Sequence, residues 1–186
     1  MIPKSRLSKH RSLLTPFRRN WARRLSGRIL ECGGGIGDYL PYLKGDVTVL
    51  DLNLHVLTLL DHPKKIVATC EAMPFADNTF DCIWACAVIQ YVHLDTFLRE
   101  ASRVTRPGGR VLVLVPNGKS PWDVFKRWLG MDTWQSQEGI VRQYTVDDLR
   151  RYGTVEGEIR FLPLEHLFRR LPRLGHTLML HMKVAK

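Results

Sequence analysis

The chemistry legible in this chain begins at a glycine-rich stretch, Arg28-Ile29-Leu30-Glu31-Cys32-Gly33-Gly34-Gly35-Ile36-Gly37-Asp38-Tyr39-Leu40. An apolar run stops at four glycines within five positions and an amphipathic stretch follows, as in a strand that feeds a helix through a tight loop. Without Cβ atoms, Gly33, Gly35 and Gly37 can take φ > 0 and let a ligand lie against the backbone, with the free N–H groups of the following helix facing it. A phosphate would suit such a place, and so would the polar end of another nucleoside. The dinucleotide fingerprint G-x-G-x-x-G fits only in part. Its third glycine falls on Asp38, where a pyrophosphate and close helix packing tolerate an acid poorly.

Glu31 stands two residues before Gly33, Gly35 and Gly37. In that arrangement the stretch resembles motif I of the class I S-adenosylmethionine (SAM) methyltransferases, where an acid ends the strand just before a G-x-G-x-G loop. A second acid, Asp51, closes the β-branched run Val47-Thr48-Val49-Leu50. The resemblance implies that Asp51 accepts hydrogen bonds from both ribose hydroxyls. NAD enzymes use the same device, so Asp51 indicates a ribose and leaves the cofactor open.

Cys70-Glu71-Ala72-Met73-Pro74-Phe75-Ala76-Asp77-Asn78-Thr79-Phe80-Asp81 is more specific. It resembles the acid-Ala-Leu-Pro-Phe-x-Asp-x-x-Phe-Asp pattern of the type 11 methyltransferase group, which includes quinone-biosynthesis enzymes, with Met73 in place of the leucine. By that match Glu71 accepts from the adenine amino group, the Ala72 amide donates to a ring nitrogen and Met73 covers the ring. Leu52 and Cys86 complete the cofactor contacts that the resemblance implies. Arg106-Pro107-Gly108-Gly109-Arg110-Val111-Leu112 resembles the architectural motif III of the same family. The good match runs from about Gly27 to Asn117.

These residues need a scaffold, and the implied one is α/β. It is a Rossmann-like three-layer sandwich around a mostly parallel seven-stranded sheet with an antiparallel last strand, a single domain over residues 1–186. Leu13, Leu14, Phe17, Trp21 and Leu25, interleaved with Arg18, Arg19, Arg23 and Arg24, predict a basic amphipathic helix within residues 1–27. This acid-free segment also resembles a mitochondrial transit peptide. Asp38–Leu43 and Leu54–Leu60 read as short helices, Lys65–Thr69 and Asp81–Val88 as strands. Phe97–Thr105 reads as a helix ended by Arg106–Gly109, and Arg110–Val115 as a strand. Trp122, Phe125, Trp128 and Leu129 share helical spacing, and two of these aromatics are expected to pack on the sheet. The whole stretch 116–143 is the expected acceptor-side flap, excluding water from the methyl group. Thr145 caps a further helix. Glu158–Leu162 and Thr177–Val184 are expected as the last, antiparallel strands.

Composition bounds the alternatives. With 186 residues, 45% of them hydrophobic and 25% charged, the chain has the make-up of an ordinary soluble domain, and it has no apolar run near the ~20 residues of a membrane span. Cys32, Cys70, Cys82 and Cys86 show neither a disulfide pattern nor zinc-type spacing, so they read as small buried hydrophobes and no metal is expected. A cytoplasmic location is the expectation. The net charge of +10 is uneven, with nine Lys and Arg and no acid in residues 1–28, eight bases against three acids in 150–186, and a slightly acidic middle. Basic ends of this kind could touch an anionic membrane peripherally, or RNA, or simply be solvated.

The expected function is in-line methyl transfer from SAM, with S-adenosylhomocysteine as product, to a small-molecule or lipid-like acceptor. An activated sulfonium needs alignment and exclusion of water more than a base. A base becomes necessary for a hydroxyl or ammonium acceptor, and Tyr91, His93 and His10 are the candidates. The Asp/Asn-Pro-Pro-Tyr/Phe segment of amino-directed nucleic-acid methylation has no counterpart at Cys86-Ala87-Val88-Ile89. RNA methylation elsewhere, and a partner subunit without activity, stay as alternatives.

Overall fold

A computed structural model describes residues 16–130, 142–158 and 171–185. In chain order its elements are α1 (Pro16–Ala22), β1 (Ser26–Cys32), β2 (Lys44–Asp51), α2 (Leu54–Thr58), β3 (Lys65–Val67), β4 (Phe80–Cys86), α3 (Leu94–Val104), β5 (Thr105–Pro116), α4 (Pro121–Trp128), α5 (Val146–Arg150), β6 (Thr154–Glu158) and β7 (Thr177–Lys183). Two 3₁₀ turns, Ile89–Tyr91 and Pro172–Leu174, lie between them.

The strands form one seven-stranded sheet in the order β3-β2-β1-β4-β5-β7-β6. Pairings among β1 to β5 are parallel, whereas β7 runs antiparallel to both β5 and β6. The sheet turns back on itself at β1, which has β2 on one side and β4 on the other, and ligands of open α/β sheets bind outside the strand ends at such a point. Alternation along each strand makes the two cores. Ile83, Ala85, Val111, Val113 and Val115 join Phe97, Leu98, Ala101, Val104 and Leu149 on one face. Cys82, Trp84, Leu112 and Leu114 join Phe17, Leu25, Tyr39, Leu43 and Leu60 on the other. A period of two in the strands thus becomes three layers.

α3 shows why the helices sit where they do. Its buried residues, Leu94, Phe97, Leu98, Ala101 and Val104, recur at the three- and four-residue spacing of a single face. α5 starts at Thr145, whose hydroxyl accepts from the Asp148 amide while the Asp148 carboxylate accepts from the Thr145 amide, a complete capping box.

Several expectations are corrected. Asp38–Leu43 is a run of hydrogen-bonded turns, Gly37 N to Gly34 O, Leu40 N to Gly37 O and Tyr42 N to Tyr39 O, and not a regular helix. Helix α3 begins at Leu94, before Phe97, and Arg106–Gly109 belongs to β5, which absorbs the Pro-Gly-Gly segment through a register shift between Phe80 and Cys82. The strand preceding β7 includes Thr154–Glu158, which pairs with His181–Thr177, and residues 159–162 of the strand expected at Glu158–Leu162 lie outside the described residues. Arg18 is not on a polar face; it is buried, 2% exposed. The α4 aromatics do not pack on the sheet, since Phe125 and Trp128 are exposed. His10, Leu13, Leu14, Trp134, Arg169 and Arg170 lie outside the described residues.

Candidate functional site

Glu31 pairs in register with Val49 of β2 and Trp84 of β4, at the centre of the carboxyl edge. Asp51 and Cys86 lie two residues beyond those partners, so all three side chains share the face that carries Tyr39 and Trp84. The glycine loop leaves β1 at this point. Gly33, Gly35 and Gly37 have φ of +64°, +56° and +80°, the left-handed region that the sequence required of them. A Cβ on Gly35 would meet only Val56 Cγ1, at 3.9 Å, so this bend faces open space.

The four glycine amides of the loop are already engaged. Gly33 N and Gly34 N donate to Leu50 O at 2.7 and 3.3 Å, and Gly37 N donates to Gly34 O at 2.9 Å. Gly35 N donates to Asp51 Oδ2 at 2.9 Å, while Asp51 Oδ1 accepts from Asn53 N at 2.9 Å. A loop so occupied, followed by turns in place of a helix, lacks the row of free N–H groups that a pyrophosphate requires. It is also acidic. Burial, with Asp38 and Asp51 nearby, pushes the Glu31 carboxyl up to about 8. Glu31 Oε2 is buried with no hydrogen-bond partner among the described residues. An orphaned carboxyl oxygen in an acidic crevice fits a cationic ligand group and repels a phosphate.

Comparison with known proteins agrees with this geometry. Residues 30–113 match the model of a methyltransferase domain family. Over those residues the chain is similar to the class I SAM-dependent methyltransferases, type 11. Among curated proteins it is 37% identical over 108 residues to a ubiquinone/menaquinone biosynthesis C-methyltransferase of Hahella chejuensis, an alignment covering 49% of this chain and 43% of that one. It is 29% identical over 150 residues to the protein of the same name from Bartonella tribocorum, covering 67% and 58%. The chain thus spans about half the length of the curated relatives it matches. Solved structures share the fold. A SAM-dependent methyltransferase from Archaeoglobus fulgidus aligns with a TM-score of 0.63 at 11% identity, covering 95% of this chain and 91% of that one. Geranyl diphosphate C-methyltransferase from Streptomyces coelicolor, solved with S-adenosylhomocysteine, aligns at 0.61 and 14%, covering 96% and 81%.

The second segment expected to meet the cofactor is fastened to the start of α3. Glu71 Oε1 accepts from the His93 amide at 2.9 Å, which joins two residues that the sequence singled out for different roles. Ala72 N donates to Thr69 O at 3.3 Å, and Met73 is buried in the core that includes Phe97 and Leu98. Leu52 is 71% exposed beside Asp51, and Tyr91 is exposed at the 3₁₀ turn after β4.

Sequence reasoning missed the residues that position this segment. Arg103 donates from Nη2 to Met73 O at 3.0 Å and from Nη1 to Phe75 O at 2.8 Å, and Glu100 Oε2 accepts from Met73 N at 2.9 Å. The two side chains also pair with each other, which holds the Glu100 carboxyl below its usual range. Their i, i+3 spacing on a helix was the available signal.

A second group, of which sequence reasoning names only Cys86 as a site residue, lies at the ends of β4 and β5. Arg18 Nη2 donates to Thr177 Oγ1 at 2.7 Å and Nη1 approaches Cys86 Sγ at 3.8 Å, while Tyr39 OH and Cys86 Sγ lie 3.2 Å apart. Burial raises the Tyr39 phenol, with Cys86 adding to the effect and Arg18 opposing it. Ala87, a non-glycine residue at φ +57°, makes the sharp bend after Cys86. Such strain persists where the surroundings enforce it, as at functional sites. Next to it, Gln90 is buried, donates from Nε2 to Ala87 O at 2.9 Å and leaves Oε1 without a partner among the described residues.

Proposed function

We propose that this chain binds SAM and transfers its methyl group to an apolar small-molecule or lipid-like acceptor, of the quinone-like class named for its bacterial relatives. The observation that carries the reading is the acidic loop with its glycine amides already satisfied. SAM presents an ammonium and a sulfonium to such a site, whereas NAD would bring two anionic phosphates into it.

Glu31 would accept from the ammonium through the oxygen that lacks a partner. Asp51 would hold the ribose, its two oxygens oriented beforehand by the Gly35 and Asn53 amides. Glu71, Ala72 and Met73 would border the adenine, with Leu52 and Cys86 at the edges of the crevice. Bound SAM supplies a methyl group on an already activated sulfonium. What the protein adds is alignment and a dry crevice. Tyr91 and His93, on the segment that leaves β4, would take a proton from an acceptor hydroxyl should the acceptor carry one.

Two measurements test this reading. Calorimetry with S-adenosylhomocysteine and with NAD should show binding of the first alone, and Asp51→Ala should weaken that binding by ~2–4 kcal/mol through loss of charge-assisted hydrogen bonds. Transfer of a labelled methyl group should then be scored against short-chain quinol precursors, lipids and RNA. Tight NAD binding without S-adenosylhomocysteine binding would sink the cofactor reading. Transfer to RNA alone would replace the acceptor.

A further inference from the structure

Helix α4 is amphipathic in the inverse sense to α3. It starts five residues beyond the end of β5, at the same edge of the sheet as the crevice, and its buried polar residue is Asp123. At about 100° per residue, Phe125, Trp128 and Leu129 fall opposite Asp123, with Val124 and Trp122 at the flanks of that arc. All five are exposed, from 37% for Trp122 to 79% for Trp128. Arg127, which is exposed, lies beyond Val124 on the way round to Asp123, and Lys119 is exposed just before the helix.

The helix is anchored and so presents this face in a fixed direction. The Trp122 ring stacks on His176 at 5.8 Å with an interplanar angle of 8°, and Asn117 Nδ2 donates to Gly175 O at 2.8 Å. The adjoining residues 171–174 add two more exposed apolar side chains, Leu171 and Leu174. Phe125 and Trp128 stack on each other at 6.1 Å on the outer side.

We infer that α4 docks this protein on an anionic lipid surface. Trp, Phe and Leu on one side with Arg and Lys close by is the composition of a helix lying in a membrane interface, where the rings enter the acyl boundary and the cations meet phosphate head groups. A partner protein would need no neighbouring cations, and a soluble monomer gains nothing from facing an aromatic arc to water. The docked orientation brings the acceptor edge of the sheet against the bilayer. The inference deepens the proposal of a lipid-like acceptor, yet its test needs neither cofactor nor acceptor, so the two can fail separately.

The full chain should be sedimented with vesicles of phosphatidylcholine alone and of phosphatidylcholine with phosphatidylglycerol. Binding is expected with the anionic vesicles, weakening as salt rises, with a blue shift of tryptophan emission that Trp128→Ser diminishes. The double variant Phe125→Ser/Trp128→Ser should lower the partition coefficient at least about tenfold, and Lys119→Gln/Arg127→Gln several-fold with a flatter salt dependence. Unchanged thermal unfolding will show that these exposed positions leave the fold intact. Wild type that stays in the supernatant with both vesicles, or a serine variant that partitions like wild type, overturns the inference. So does a concentration-dependent dimer in sedimentation equilibrium that the serine variant abolishes, because a second copy then covers the face.

Discussion

Arg18 and Thr177 are 159 residues apart in the chain and share a buried hydrogen bond of 2.7 Å, from the guanidinium Nη2 to the threonine Oγ1. The bond ties α1 to the first residue of the antiparallel strand, beside Pro116 at the carboxyl end of β5. It fixes α1 at the carboxyl end of β5, while Phe17 and Leu25 fill the core on that face of the sheet.

Thr177→Val should destabilise the protein by about 1–3 kcal/mol, the cost of leaving a buried charged donor without this acceptor, since the two side chains are nearly equal in volume. Thr177→Ser keeps the hydroxyl and should cost less. Urea unfolding with a common m-value checks both. An unaffected valine variant would mean that the arginine finds an equivalent acceptor at once.

Gly35 gives a cleaner separation of fold from binding. Alanine there must hold φ near +56° at a cost of about 1 kcal/mol, yet its Cβ would meet only Val56 Cγ1. Unfolding should thus change slightly, while affinity for S-adenosylhomocysteine should fall at least about tenfold, because the methyl projects where a ligand would lie. Calorimetry of the Gly35→Ala variant decides, and wild-type affinity would remove the open side of the loop from the site.

How much of this was legible follows from the range of each signal. Local patterns carried Glu31, the three positive-φ glycines, Asp51 and the Thr145 cap, because each depends on neighbours within a few residues. The mostly parallel seven-stranded sheet with its antiparallel last strand came with the family resemblance. Arg18 was misread because four arginines at helical spacing look alike until Thr177 and Cys86, distant in sequence, are brought beside one of them. Two of the α4 aromatics were assigned inward by the rule that apolar stripes are buried. That rule gives the period of a helix and not its phase, which Asp123 sets. Glycines after an apolar run implied a helix at Asp38, but the chain there closes successive tight turns, Leu40 N to Gly37 O and Tyr42 N to Tyr39 O.

Arg103 makes a prediction about the adenine side. Its fork holds two carbonyls of the 73–75 segment and the Glu100 carboxylate at once. Arg103→Lys retains one charge without the fork and Arg103→Met retains only the stem. With its side chain one-third exposed, the methionine variant should lose roughly 1 kcal/mol of stability. Affinity for S-adenosylhomocysteine should fall several-fold in both variants as Glu71 and Ala72 lose their fixed positions. Equal affinity in all three proteins, by calorimetry, would make the Arg103 contacts matters of folding alone.

The pH dependence of binding isolates Glu31. Its carboxyl is held at about 8 by burial first and then by Asp38 and Asp51, against an ordinary value of 4.5, so the free folded protein carries this proton at neutral pH and the unfolded chain does not. Between pH 4.5 and pH 8 the folded state binds the extra proton, so the contribution of Glu31 to stability is greatest below pH 4.5 and is lost as pH rises through 8. Glu31→Gln cannot ionise and should flatten that part of the stability curve in urea titrations at successive pH values. Binding should run the other way. An ammonium at the Glu31 oxygen favours the carboxylate, so complex formation at pH 7 should release close to one proton, and affinity for S-adenosylhomocysteine should rise with pH until about 8. Calorimetry at pH 7 in buffers of different ionisation enthalpy counts that proton directly. Glu31→Gln should bind more weakly with no such release, and a wild-type heat independent of buffer would place the ammonium elsewhere.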